Sequence, residues 1–131
     1  MDRKYITRLI ISNPFFLLVL CTFILNELEL EVVKPLFFKF YLNDLLAPII
    51  ILSLTSLGLS LIYRVLYILS KAQMFFFFLY LSFVFELFLP YLSSSYITDK
   101  YDILAYAMGT IIFHLLINLK LDEFKRSYKA P

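Results

Sequence analysis

Residues 45–63 read LLAPIIILSLTSLGLSLIY, nineteen consecutive positions without a charged side chain. A helix rises about 1.5 Å per residue, so this run reaches about 28 Å, close to the roughly 30 Å hydrocarbon thickness of a bilayer. Three more runs flank it. Residues 72–89 contain FFFF at 75–78, residues 103–119 form a late apolar stretch, and residues 9–26 include ISNPFFLLVLCTFILN. The expectation is an all-α membrane protein, a four-transmembrane-helix bundle in a single domain covering 1–131. Its helices fall near 9–26, 45–63, 72–89 and 103–119, with outer loops 27–44 and 90–102. A cytoplasmic loop covers 64–71 and a basic tail covers 120–131.

Composition agrees. The chain is 62% apolar and only 17% charged, and its mean hydropathy is +0.85. Soluble domains run nearer 45–50% apolar and about 25% charged. A 131-residue soluble core could not hide this much Leu, Ile and Phe. Ten tyrosines and no tryptophan leave Tyr to supply the interfacial belt. Cys21 is the single cysteine, which excludes an intrachain disulfide and suggests a packing role. No basic cluster of the nucleic-acid type occurs.

The first run resembles a signal peptide in its basic start and apolar middle, but no small-residue cleavage site follows. It reads as an uncleaved helix, with Pro14 tolerated in the first turn or as a kink. Residues 27–44, ELELEVVKPLFFKFYLND, are too charged to span. Pro35 can open a short interfacial helix carrying Phe37, Phe38, Phe40, Tyr41 and Leu42, and an irregular loop is the other reading.

Basic residues orient the spans. With the N-terminus inside, nine Lys and Arg fall on inner segments: Arg3, Lys4, Arg8, Arg64, Lys71, Lys120, Lys125, Arg126 and Lys129. Three, Lys34, Lys39 and Lys100, fall on outer ones. Glu27, Glu29, Glu31, Asp44, Glu86, Asp99 and Asp102 all lie outside in this arrangement. The expected orientation is therefore N-in, C-in.

Three polar features then meet at one outer depth: Tyr41-Leu42-Asn43-Asp44, Glu86 to Pro90, and Thr98 to Asp102. Asn43 or Asp44 can cap the second helix, and Thr98, Asp99 and Asp102 can cap the fourth. Pro90 reads as helping to end the third helix. Glu86 resists so simple a reading. It lies in the apolar run VFELFLP, roughly 6 Å below the expected helix end, where an ionisable group either snorkels to the interface or faces a partner or cavity, such as Lys100, a tyrosine hydroxyl or a bound cation. Carboxylates from Glu86, Asp99, Asp102 and Asp44 can together hold Mg²⁺ or Ca²⁺, which prefer oxygen ligands. Asp102, Tyr106 and Gly109 recur at helical spacing on one face. Ala105 and Gly109, four apart, suit close helix packing, and Gly58 can serve the second helix in the same way. His114 reads as a mid-membrane neutral histidine in a helix–helix hydrogen bond. No Ser-His-Asp set, glycine-rich phosphate loop or His/Cys metal pattern occurs.

Glu86, Pro90, Asp99, Asp102 and Gly109 together resemble the motif of VanZ-like small bacterial membrane proteins, with Tyr106 where that group has Asn. The stretches YLNDLLAP, FE-x2-LP and YITDKYDILAY look like an uncharacterised branch of it, some of whose members carry the label magnesium-citrate transporter. The resemblance implies a four-helix fold, an outer acidic site, the bacterial cytoplasmic membrane and an envelope role. The expected function is a non-enzymatic envelope module that binds a lipid, cell-wall precursor or protein partner through Glu86, Asp99, Asp102, Asp44, Asn43 and Tyr106. Transport of a cation or metal complex by an oligomer, and an enzyme acting on a lipid-linked substrate, are the alternatives.

Overall fold

The computed structural model describes residues 2–28, 41–95 and 99–129. The described residues form helices, without strands. The elements are α1 (Arg3–Ile11), α2 (Pro14–Glu27), α3 (Leu42–Tyr63), α4 (Lys71–Leu92) and α5 (Lys100–Lys129). The last three are long and apolar enough to cross a membrane, and α1 with α2 make a fourth such stretch if a bend of 60° is accepted. The expected interfacial helix after Pro35, with Glu29, Glu31, Lys34, Lys39 and Thr98, lies outside the described residues.

The expected first helix, 9–26, is broken. Asn13 caps α2, its Oδ1 accepting from the Phe15 and Phe16 amides at 2.9 and 3.3 Å, and Pro14 takes the first helical position. A residue before proline is pushed out of the helical region, and an Asn-Pro pair starts a helix better than it continues one. α1 is accordingly a separate amphipathic helix, with Ile6 and Ile10 buried and Arg3, Lys4 and Arg8 exposed. Cys21 is exposed on α2, so the packing role expected for it is corrected.

α3 is the central helix, packed against α5 along much of its length and against α2 and α1. It starts at Leu42, three residues before the expected boundary. Tyr41 occupies its N-cap position without a side-chain cap bond. Asn43 and Asp44 therefore sit in the first turn and do not cap. Their side chains are free for other partners. Gly109 of α5 faces this turn: a Cβ there would run into the Leu45 carbonyl and lie 3.2 Å from Pro48 Cγ. Ala105, one turn earlier, is also buried. At Gly58 a Cβ would meet nothing within 4 Å, so the close packing expected there is absent.

Two π turns interrupt the long helices. Pro90 does not end α4, which runs on to Leu92. In a regular helix its ring would strike the Glu86 carbonyl. The π turn Val84–Phe88, closed by the Leu89 amide on the Val84 carbonyl, widens the helix just there. It also sets Glu86 inward, 4% exposed between the exposed Phe85 and Leu87. The second π turn, His114–Asn118, lies in α5, which continues as a helix to Lys129 where a basic tail was expected.

The 64–70 connection is held by side chains. The Ser60 hydroxyl accepts from the Tyr67 amide and the Ser56 hydroxyl donates to the Tyr67 carbonyl, both at 2.8 Å. Asn118 accepts from the Leu69 amide at 3.1 Å and donates to the Leu69 carbonyl at 2.9 Å. Backbone groups that leave a helix at or near membrane depth need such partners. His114 lies one turn before Asn118 on α5, near this connection. Its ring bonds Asn118 of its own helix, at 3.3 Å, instead of another helix.

Candidate functional site

At the opposite end of the bundle, α3, α4 and α5 each contribute a carboxyl group to one cluster. Its centre is Tyr106 of α5, 4% exposed. The Tyr106 hydroxyl lies 3.3 Å from Asp44 Oδ1 and 3.5 Å from Glu86 Oε1. It has one proton, so it can donate to only one of them at a time. The Tyr106 ring packs against Phe85, with centroids 6.1 Å apart. Glu86 Oε2 accepts from the Asp99 amide at 3.0 Å. Asp102, in the first turn of α5, has its carboxyl within hydrogen-bonding reach of Asp44. Two carboxyls in such contact need a proton or a cation between them.

Asp99 links the cluster to the surface. It caps α5 by accepting from the Tyr101 amide at 3.0 Å, and its other oxygen accepts from the Tyr41 hydroxyl at 2.8 Å. These bonds hold the Asp99 carboxyl below the usual carboxylate range, the Tyr101 amide contributing most. The same contact, with burial, pushes the Tyr41 hydroxyl up to about 12. The rings of Tyr41 and Tyr101 meet edge to face, 6.1 Å apart.

Asn43 faces away from this cluster. Its amide donates to Glu27 and its carbonyl oxygen accepts from Asn26 at 2.6 Å, tying the end of α2 to the start of α3. The sequence reading thus placed Asp44, Glu86, Asp99, Asp102 and Tyr106 together, and all five meet. Asn43 belongs to a neighbouring latch. Asn26, Glu27 and the hydroxyl of Tyr41 were not among the expected site residues. Asn26, a polar residue closing an otherwise apolar run, carried a signal for that role.

Among the described residues, no Lys or Arg forms an ion pair with Asp44 or Asp102, and the ion pair present joins Arg126 to Asp122. No three His, Cys, Asp or Glu side chains among the described residues converge as a metal-holding set. Acids brought this close offer oxygen acceptors to a group that donates hydrogen bonds and carries positive charge.

Fold and site together define an all-helical chain with the helices of a multi-pass membrane protein and an acidic cluster at one end. No protein-family model, curated protein or solved structure matches it.

Proposed function

We propose that the protein is a four-span membrane protein with both termini in the cytoplasm, and that it works as a non-enzymatic binding module of the cell envelope. Its Asp44–Glu86–Asp102–Tyr106 cluster takes a cationic group, such as an amine of a lipid, a cell-wall precursor or a protein partner, at the outer face. The observation that carries this reading is the gathering of carboxyls from three helices, Asp44 and Glu86 at the Tyr106 hydroxyl and Asp102 beside Asp44. Carboxylates gathered in this way favour a cation by several kcal/mol more when water is partly excluded.

The orientation rests on the excess of Lys and Arg beside the 64–70 connection and the helix ends on that side. α1 then lies in the inner interface, with its basic face to the headgroups, and α2 enters the bilayer after the bend. At fourteen residues α2 reaches about 21 Å, so the span is completed by its flanks. The resemblance to VanZ-like proteins supports an envelope role in a bacterial cytoplasmic membrane.

The test uses the full chain in lipid nanodiscs and a short lysine-bearing peptide as probe. Wild-type protein should bind it, and an acetylated peptide should bind at least tenfold more weakly. The double variant Asp44→Asn/Asp102→Asn should lose binding with little change in its unfolding midpoint. Equal binding of both peptides, or undiminished binding by the double variant, would remove the site. A reporter tag read on the outer side at the C-terminus would overturn the orientation.

A further inference from the structure

A second feature lies at the other end of the bundle, away from the carboxyl cluster. Between α4 and α5 a cleft of about 310 Å³ opens sideways, with walls that include Met74, Phe78, Ala107 and Ile111. α4 is the most peripheral of the long helices: only 11% of its apolar window is buried, against 44% for α3. The cleft therefore faces whatever surrounds the bundle. α4 and α5 run antiparallel, so residues 71–78 and 107–114 lie alongside each other over roughly 10 Å.

The lining surface is almost wholly apolar: the Thr110 hydroxyl is turned to the Tyr106 carbonyl of its own helix, and Lys71 and His114 line one end beside the 64–70 connection. Lys71 is exposed and, among the described residues, makes no ion pair. The His114 tautomer follows from its neighbour. The Leu69 amide bonds Asn118 Oδ1, which fixes the side-chain amide and makes Nδ2 the group facing His114 Nδ1 at 3.3 Å. Nδ2 donates, so Nδ1 accepts and the ring proton sits on Nε2 as a further donor. No Asp or Glu lines the cleft. One end thus carries Lys71 and His114, and the surface lining the trough is apolar.

We infer that this cleft is a binding site for an anionic phospholipid of the adjoining leaflet. One acyl chain lies along Met74, Phe78 and Ile111, and the phosphate rests against Lys71 and His114. Lys71 is the first residue of α4, at the level where headgroups meet a spanning helix, so a chain running from there into the trough points toward the bilayer centre. The positive end of the α4 dipole adds to the attraction for phosphate. A lipid with a free anionic headgroup gains this contact, whereas a zwitterionic lipid of equal chains holds its own cation beside the phosphate.

Delipidated full-length protein in detergent, titrated with phosphatidylglycerol or phosphatidylcholine of identical chains and followed by native mass spectrometry, tests the inference. Phosphatidylglycerol should be retained about fivefold more strongly, one lysine near a surface contributing on that order. Lys71→Gln should bring the two lipids to equal retention, and Lys71→Arg should keep the preference. Ala107→Phe, which fills the trough, should lower retention of both. Glycerol phosphate alone should bind neither wild type nor variants. Equal retention of the two lipids by wild type would overturn the site, as would a preference untouched by Lys71→Gln. A dimer that Ala107→Phe abolishes would overturn it too, because a second copy would then be the occupant. Lys71 is exposed, so its variants test the idea even if Ala107→Phe fails to fold.

Discussion

The two π turns carry the same device to different ends. Each inserts one wide turn into a long apolar helix, and each buries a polar side chain there: Glu86 in Val84–Phe88 and Asn118 in His114–Asn118. At His114–Asn118 the chemistry is saturated. Asn118 is neutral, and both its oxygen and its nitrogen are matched by the Leu69 backbone. At Val84–Phe88 acids gather. Glu86 Oε1 and Asp44 Oδ1 both approach the Tyr106 hydroxyl, and the Asp102 carboxyl lies beside Asp44. A saturated amide holds a loop in place, whereas acids gathered from three helices are the feature on which the proposed cation site rests.

Substitution should separate the two turns. The largest effect is expected from Asn118→Ala, which leaves two buried backbone groups of Leu69 without partners. At about 1–3 kcal/mol for each such group, the loss should be about 2–6 kcal/mol, read from denaturant unfolding in detergent. Gly109→Ala comes next, because the new methyl meets the Leu45 backbone and α3 and α5 must part. A cost of about 1–3 kcal/mol is expected from such overpacking. Gly58→Ala should have the opposite sign, stabilising by about 0.5–1 kcal/mol, since there is room for the methyl and glycine is a poor helix former. If both glycine variants destabilised equally, the close approach would not be confined to Gly109.

The smallest effect on stability is expected at Val84–Phe88. Glu86→Gln keeps an oxygen for the Asp99 amide and removes a charge from a crowded set, so unfolding should change by less than about 1 kcal/mol. The Tyr41–Asp99 bond also has a defined pH window. Asp99 is held below its ordinary value, so its contribution is present above about pH 4 and is lost as pH falls through the lowered value. The Tyr41 hydroxyl, pushed up to about 12, keeps its proton through the neutral range and gives up the bond only as pH rises through that value. The difference in tyrosinate absorbance between wild type and Tyr41→Phe, followed against pH, should show one late-titrating group.

The sequence discloses the long spans because length and absence of charge at 45–63, 72–89 and 103–119 leave few other solvents for them. Five members of the acidic cluster are legible for a related reason. An acid inside an apolar run must face something, and the helical spacing of Asp102, Tyr106 and Gly109 shows which face. The π turns are not legible. A one-residue widening leaves no mark in hydropathy, and Pro90, read alone, signals an end to α4 where the widened turn lets the helix continue. The break at Asn13-Pro14 was present as a capping pair but was outweighed by the apolar run around it. Nothing in the sequence singles out Asn118. Its role as a clamp depends on the 64–70 connection folding back against α5, which no local pattern encodes.

Glu86→Gln and Asn118→Ala, examined side by side for unfolding midpoint and for affinity toward the lysine-bearing peptide, test the division between the turns most directly. Glu86→Gln should lose at least tenfold in affinity at a near-wild-type midpoint, and Asn118→Ala should lose stability while the folded fraction binds normally. A Glu86→Gln protein that unfolds as readily as Asn118→Ala and still binds the peptide at wild-type strength would contradict the account.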